Sequence, residues 1–412
     1  MIINFKVNNF KGIEKEAIIS SRASNKIKRD SKECSLVNNE LKLLKTICII
    51  GCNGSGKTSI VNALQTLQDF LRFPLRKMMD DDEDYAKYIQ SLTEDELKRH
   101  LIKINTLTLG MQNINRKLDK TELEIELYIP KKNDNISGFY TYKLTYDKDY
   151  KTKGVILEKL TYRPKYEKRN ILTLCKKSAI IESQIGTTVL YRNNSIKNKD
   201  IKYVDYYQTF IDEMLLNTNC FFNGATVDLR ETLKNYKKEF INLCNIADDK
   251  IINVTIDENN DNRNLLFLNN KGNSLYFTQL SDGTKKIIIL GSVIIEALEN
   301  NSILFIDELE QSLHFSLATF LIKMIESKNS NNYTQLLFTT HSPLIALKMK
   351  NDQLYFINNH NDEYYFSNIT NAIRSKLITK DQSIQKALFD NLLIKNPDTN
   401  KINLFLNNKD KK

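Results

Sequence analysis

The chain has 412 residues, 41% of them apolar and 27% charged, with a formal net charge of +10. That length and apolar content supply a buried core of one large or two ordinary domains, which excludes a disordered or fibrous protein. Its longest apolar runs, such as 287–290 and 303–306, fall far short of the ~20 residues of a membrane span, and the start MIINFKVNNFKGIEKE has no secretory apolar stretch, so a cytoplasmic chain without membrane contact is expected.

Six cysteines (34, 48, 52, 175, 220 and 244) form no CxxC pair and have no nearby histidine, so neither a zinc site nor a disulfide framework is expected. Lys, Asn and Ile are abundant throughout, so the net charge alone does not specify a nucleic-acid partner.

In chain order, a strand pair comes first at Ile2–Val7 and Ala17–Ser20. An apolar strand, Thr46–Ile50, runs straight into GCNGSGKTS. The helix that follows carries Ile60, Ala63, Leu64, Leu67 and Leu71 at three-and-four spacing and is expected to end at Pro74. A helical insertion beginning with the acidic run Asp80–Asp84 fills 75–120. The pattern then changes to period two over 121–129, 139–146 and 155–163, which predicts an antiparallel sheet, and the mixed segment 171–270 yields no order of elements. From residue 280, helix and short buried strand alternate: helix 284–298, strand 303–306, helix 315–327 and strand 335–339. The segments 1–74 and 280–396 are thus expected to form one mainly parallel α/β core around the insertion 75–120 and the sheet region 121–279, with a polar tail at 397–412.

Gly51, Cys52, Asn53, Gly54, Ser55, Gly56, Lys57, Thr58 and Ser59 fit the phosphate-loop (Walker A) pattern, between the strand and helix that the pattern requires. Glycines let the backbone curl so that amide N–H groups face a polyphosphate, Lys57 reaches the β and γ oxygens, and Thr58 offers its hydroxyl to Mg²⁺. The buried strand 302–306 ends in Asp307 and Glu308. There Asp307 serves the metal, and Glu308 polarises the water that attacks the γ-phosphate.

Between these motifs, LSDGT places Ser281 and Gly283 at the start of a helix, a second anion-binding N-terminus. A chain that already binds phosphate at Lys57 would use that end in trans, on the nucleotide of a second copy. His341 directly follows a strand in TTHSP, where an imidazole can hydrogen-bond the γ-phosphate, and His314 is assigned to a turn that crosses the same dimer interface.

These motifs, in this order, resemble the ABC-type ATPases of the SMC, RecF and OLD lineage. More narrowly they resemble the small AAA-type ATPase subunits of bacterial phage-defence systems of the AbiL/RloA-like, PARIS-like and Septu-like kinds. VNNFKG is similar to that family's opening, the three alternating strands to its lobe I sheet, and Asp352–Phe356 to its DQIYF strand. The resemblance implies an ATPase head with ATP and Mg²⁺ as ligands, ATP-dependent dimerisation, and a switch role exercised through a separately encoded effector such as a nuclease. Three departures stand out: Lys11 where the family often has arginine, no evident magnesium-linked glutamine between 64 and 280, and a last ~50 residues without the family's pattern.

A nucleic-acid clamp of RecF or SMC type is the competing reading. It rests on 143–177, which holds eleven basic and four acidic residues interleaved with tyrosines. The lack of a coiled-coil arm excludes a full SMC protein, Asp282 in the signature argues against a transporter subunit, and no DxD pair follows His341 to build an OLD-type nuclease.

Overall fold

The computed structural model describes residues 1–24, 27, 31–37, 41–80, 120–132, 135–147, 155–164, 172–177, 201–221, 227–257, 264–327, 331–360 and 363–376. Residues 81–119 of the expected insertion 75–120, 148–154 and 165–171 of the basic stretch, and the tail lie outside them.

In chain order the strands are β1 (Ile2–Asn8), β2 (Ala17–Ser20), β3 (Cys34–Leu36), β4 (Lys42–Leu44), β5 (Thr46–Gly51), β6 (Lys120–Ile129), β7 (Gly138–Asp147), β8 (Val155–Arg163), β9 (Leu172–Lys177), β10 (Thr218–Phe221), β11 (Ile251–Ile256), β12 (Leu265–Asn269), β13 (Ser274–Tyr276), β14 (Ile303–Ile306), β15 (Gln335–Thr340), β16 (Leu354–His360) and β17 (Glu363–Asn368). The helices are α1 (Lys57–Asp80), α2 (Ile201–Leu215), α3 (Leu229–Asn235), α4 (Lys237–Ala247), α5 (Asp282–Asn300), α6 (Phe315–Glu326), α7 (Pro343–Ala346) and α8 (Ile369–Arg374).

The central sheet runs β10-β14-β15-β5-β16-β17, parallel except for the β16–β17 hairpin. Its strands are apolar on both faces, and alternate residues serve different cores. Ile47, Ile49, Ile303, Phe305, Leu337, Tyr355 and Ile357 face one cluster with α1, α2 and the second sheet. Cys48, Ile50, Leu304, Ile306, Leu336, Phe338, Leu354 and Phe356 face the other, with α4, α5 and α6. Burial on both sides fixes the register, because a one-residue slip would exchange the two sets.

The second sheet, β2-β1-β6-β7-β8-β9, is antiparallel throughout. Leu123, Ile125, Leu127 and Ile129 of β6 point inward while Glu122 and Glu124 alternate with them, the period-two pattern of a half-solvated sheet. The rings of Phe5 and Phe305 meet nearly perpendicular with centroids 6.3 Å apart, joining the two sheets.

Two expectations are corrected here. β1 and β2 belong to the antiparallel sheet rather than to the parallel core, since β1 finds its second partner more than a hundred residues away in β6. Helix α1 does not end at Pro74 but continues to Asp80, so the proline removes one internal hydrogen bond without stopping the helix. Within 171–270, which yielded no order from sequence, the structure places β10 on the central sheet and β11 and β12 in a small sheet that β13 completes just before Leu280.

Candidate functional site

The C-terminal ends of β5, β14 and β15 lie side by side, and each delivers part of one site. After β5 the chain curls through Gly54 and Gly56 at φ of 74° and 104°, a hand that side chains with a Cβ avoid. A Cβ on Gly51 would fall 2.4 Å from Cγ2 of Ile357 and 2.6 Å from Oγ of Ser55, so only glycine lets β5 turn here against β16. The loop opening at Asn8–Gly12 closes over this curl, with the Gly12 amide donating to Ser59 Oγ at 3.3 Å.

Lys57 is buried, and its ammonium donates to the carbonyls of Gly51 and Cys52 at 2.8 and 2.7 Å. Burial pulls its pKa down to about 8, against the opposing pull of Cys52, Glu308, Asp307 and Glu310. Ser55 Oγ is buried without a protein partner, an orphaned donor that a phosphate oxygen would satisfy. With the curled backbone and Lys57, it fits a polyphosphate.

Asp307 follows β14. Its Oδ2 accepts from Thr58 Oγ1 at 2.9 Å and its Oδ1 from Thr339 Oγ1 at 2.6 Å. A hydroxyl and a carboxylate oxygen in contact are the hard donors that Mg²⁺ takes together with phosphate, so Thr58 and Asp307 are the residues that would hold it. The metal, when bound, supplies a Lewis acid at the phosphate oxygens.

Glu308 takes φ of 50°, and its Oε1 lies 3.1 Å from Nε2 of His341. The other imidazole nitrogen, Nδ1, lies 3.3 Å from the Lys57 ammonium. An Nε2–H tautomer satisfies both, donating to Glu308 and accepting from Lys57. The His341 amide in turn donates to Glu310 Oε1 at 2.5 Å. The Glu308 amide donates to Thr339 Oγ1 at 2.8 Å, so through Thr339 the residues Lys57, Thr58, Asp307, Glu308 and His341, separated by up to 284 residues in sequence, form one continuous polar network.

Ser281 and Gly283 lie apart from this network. Ser281 caps α5, its hydroxyl accepting the Thr284 amide at 3.2 Å and bonding the Thr284 hydroxyl at 2.7 Å. Its side of the turn is exposed. A Cβ on Gly283 would stand 3.1 Å from the carbonyl of Ser312, so the glycine allows the signature turn to rest on the turn after β14. His314 caps α6, its Nδ1 accepting the Ser316 amide at 3.3 Å. Lys11, at φ of 48°, packs its ammonium 5.6 Å over the Phe10 ring, and burial lowers its pKa.

The sequence matches, over residues 47–347, the protein family described as "AAA domain, putative AbiEii toxin, Type IV TA system". The chain belongs to this AAA family. That agrees with the resemblance drawn from the motifs. A curated relative, "Retron Vc95 probable ATPase" of Vibrio cholerae serotype O1 biovar El Tor, is 21% identical over 360 residues, covering 76% of this chain and 69% of the relative. Among solved structures, an SMC head domain from Thermotoga maritima superposes with TM-score 0.41 at 12% identity over 89% of this chain and 98% of its own. An SMC head bound to the C-terminal winged-helix domain of ScpA gives 0.47 at 11% identity over 90% and 99%.

Two residues of this network were not read from sequence. Thr339 bonds Asp307 and the Glu308 amide, and Glu310 anchors His341. The signal for both was adjacency alone: Thr339 precedes His341 by two residues, and Glu310 follows Glu308 by two. A polar side chain in a buried strand otherwise marks any satisfied core hydroxyl.

Proposed function

We propose that this chain binds and hydrolyses Mg-ATP, dimerises on ATP, and serves in the cytoplasm as the switch subunit of an anti-phage defence system that acts through a separate effector such as a nuclease. The carrying observation is the joining of Lys57, Thr58, Asp307, Glu308 and His341 in one network at the ends of three adjacent strands. The phosphate loop binds the polyphosphate, and Lys57 exchanges its carbonyl partners for phosphate oxygens. Water held by Glu308 gives up a proton to that carboxylate as its oxygen attacks the γ-phosphorus. The bond to the β–γ bridging oxygen breaks, ADP carries away the electron pair, and phosphate leaves. Ser281, exposed, and Gly283, half-buried, lie apart from their own phosphate loop and complete the nucleotide site of a second copy. The defence assignment draws on the family description and on the retron relative's name.

The nucleic-acid clamp gains no such support. Of its basic stretch, Lys143 pairs with Glu122 at 3.1 Å and Arg163 pairs with Glu126, so these charges answer carboxylates of β6. Among the described residues no helix is long and apolar enough to cross a membrane.

Phosphate release from ATP by the purified chain tests the chemistry. Release should require Mg²⁺, vanish with ATP binding in Lys57→Ala, and vanish with binding retained in Glu308→Gln. Absence of release from the unmodified chain, or release indifferent to Glu308→Gln, overturns the reading.

A further inference from the structure

We propose that Thr339 is the positioning residue of this site: one side chain and its own carbonyl set the orientation of Asp307 and the backbone hand of Glu308. The second half rests on the hydrolytic reading above. The geometry starts from the valence of a hydroxyl. Thr339 Oγ1 has one proton, which it donates to Asp307 Oδ1 at 2.6 Å, leaving its lone pair to accept the Glu308 amide at 2.8 Å. The Thr339 carbonyl accepts the Leu309 amide at 3.1 Å.

Two consecutive amides, those of Glu308 and Leu309, thus end on the same residue of the neighbouring strand. Between them the Glu308 backbone passes through φ of 50°, a conformation that costs a non-glycine residue about 1 kcal/mol or more and persists only where surrounding bonds impose it. That hand places Glu308 Oε1 against His341, and Thr339 sits two residues before His341 on the same strand end.

On Asp307 the effect is rotational. With Oδ1 taken by Thr339, Oδ2 is the oxygen presented to Thr58 at 2.9 Å. The pair that would hold the metal is therefore oriented by a buried residue of the neighbouring strand, acting through Asp307. Thr339 is fully buried, so water cannot replace the hydroxyl if it is removed.

Thr339→Val removes the hydroxyl and keeps the shape, and Thr339→Ser keeps the hydroxyl and loses a methyl. Calorimetric ATP binding without Mg²⁺ should stay within about threefold of the unmodified chain in both, since the phosphate loop is intact and a surplus or missing methyl here is remote from it. In Thr339→Val the Mg²⁺ concentration that half-saturates its enhancement of ATP binding should rise about tenfold. Its kcat should fall roughly 10- to 100-fold, the equivalent of one lost hydrogen bond to a charged group, with KM little changed. Thr339→Ser should recover most of both. A packing role would instead spare the Mg²⁺ midpoint and injure Thr339→Ser, which loses a methyl, more than the isosteric Thr339→Val.

The inference fails if Thr339→Val matches the unmodified chain in Mg²⁺ midpoint and kcat, or if Thr339→Ser is as impaired as Thr339→Val. Should Thr339→Val not fold, Thr339→Ala, which also lacks the hydroxyl, takes its place in the same comparison with Thr339→Ser. If the unmodified chain releases no phosphate, the hydrolytic reading falls by itself, and the Mg²⁺ midpoint still judges the hold on Asp307.

Discussion

The imidazole of His341 stands with Nε2 3.1 Å from Oε1 of Glu308, on the line that leads from that carboxylate to Lys57. The base that would polarise water and the ammonium that would meet the γ-phosphate are thus tied to one ring. Replacing His341 by alanine should release both. Nucleotide binding should hold within about threefold, while kcat falls on the order of 10- to 100-fold, because the carboxylate loses the donor that orients it. His341→Gln, which keeps a donor at similar reach, should fall less. Steady-state phosphate release beside calorimetric binding reads both numbers. Loss of binding without loss of kcat would place His341 on the nucleotide alone.

The lowered pKa of Lys57 predicts how ATP affinity responds to pH. Burial holds the ammonium at about 8 rather than 10.5, so the free chain keeps it charged at pH 7 and loses it as pH rises through 8. A polyphosphate restores the charged form, hence binding above pH 8 must take up a proton. Affinity should decline with pH there, approaching tenfold per unit, or about 1.4 kcal/mol. For stability the sign is opposite: between 8 and 10.5 the unfolded chain holds the extra proton, so the burial penalty is full below 8 and is relieved as pH rises. Calorimetry in buffers of different ionisation enthalpy measures the uptake. An affinity flat from pH 7 to 9.5, or a slope that persists in Lys57→Arg, contradicts the assignment.

Glycine positions in the phosphate loop separate two physical causes. At Gly51 an added Cβ meets Ile357 Cγ2 at 2.4 Å and the Ile357 carbonyl at 2.7 Å, so backbone must move. Gly51→Ala should cost about 1–3 kcal/mol of stability and shift the loop enough to remove ATP binding. At Gly54 an added Cβ meets nothing within 4 Å, and only φ of 74° opposes it. Gly54→Ala should cost about 1 kcal/mol. Thermal melts rank the two, and a Gly51→Ala that melts with or above Gly54→Ala refutes the packing argument.

Much of the site was legible because its residues sit where local pattern is strongest. β14 matches its predicted span, β15 runs one residue longer and α5 two residues longer at each end, since short apolar runs and a three-and-four stripe bounded by Ser281 leave little freedom. Pairing was less legible. Nothing in the alternation of β1 says whether it joins β5 or β6, as either offers an apolar partner face, and the choice is made by contacts more than a hundred residues apart. Thr339 escaped notice for a related reason: its role depends on which strand lies beside β14, a fact of topology rather than of sequence order. His314 shows what sequence order alone did not give: beyond the interface role expected of it, the fold uses it as the cap of α6.

The shared-site arrangement carries the furthest-reaching prediction. Ser281 uses its hydroxyl within its own turn and presents that turn to solvent, while Gly283 brings it against the segment that follows Glu308. An anion-binding helix start displayed next to the catalytic turn suits the nucleotide of a second molecule better than its own. Glu308→Gln retains the shape of the site without a base, so at saturating Mg-ATP it should accumulate as a dimer, visible as a doubled mass by light scattering. Ser281→Arg in that background should return the mass to that of the monomer, because a cationic side chain fills the turn meant for phosphate, while ATP binding by each monomer persists. Mixing Lys57→Ala with Ser281→Arg provides the complementary measurement. Each is inactive alone, yet their heterodimer keeps one site with both halves intact, so up to about half of the hydrolysis per dimer should return if the two sites act independently. A Glu308→Gln chain that remains monomeric with Mg-ATP, or a dimer that Ser281→Arg leaves unchanged, would remove the second copy from the mechanism.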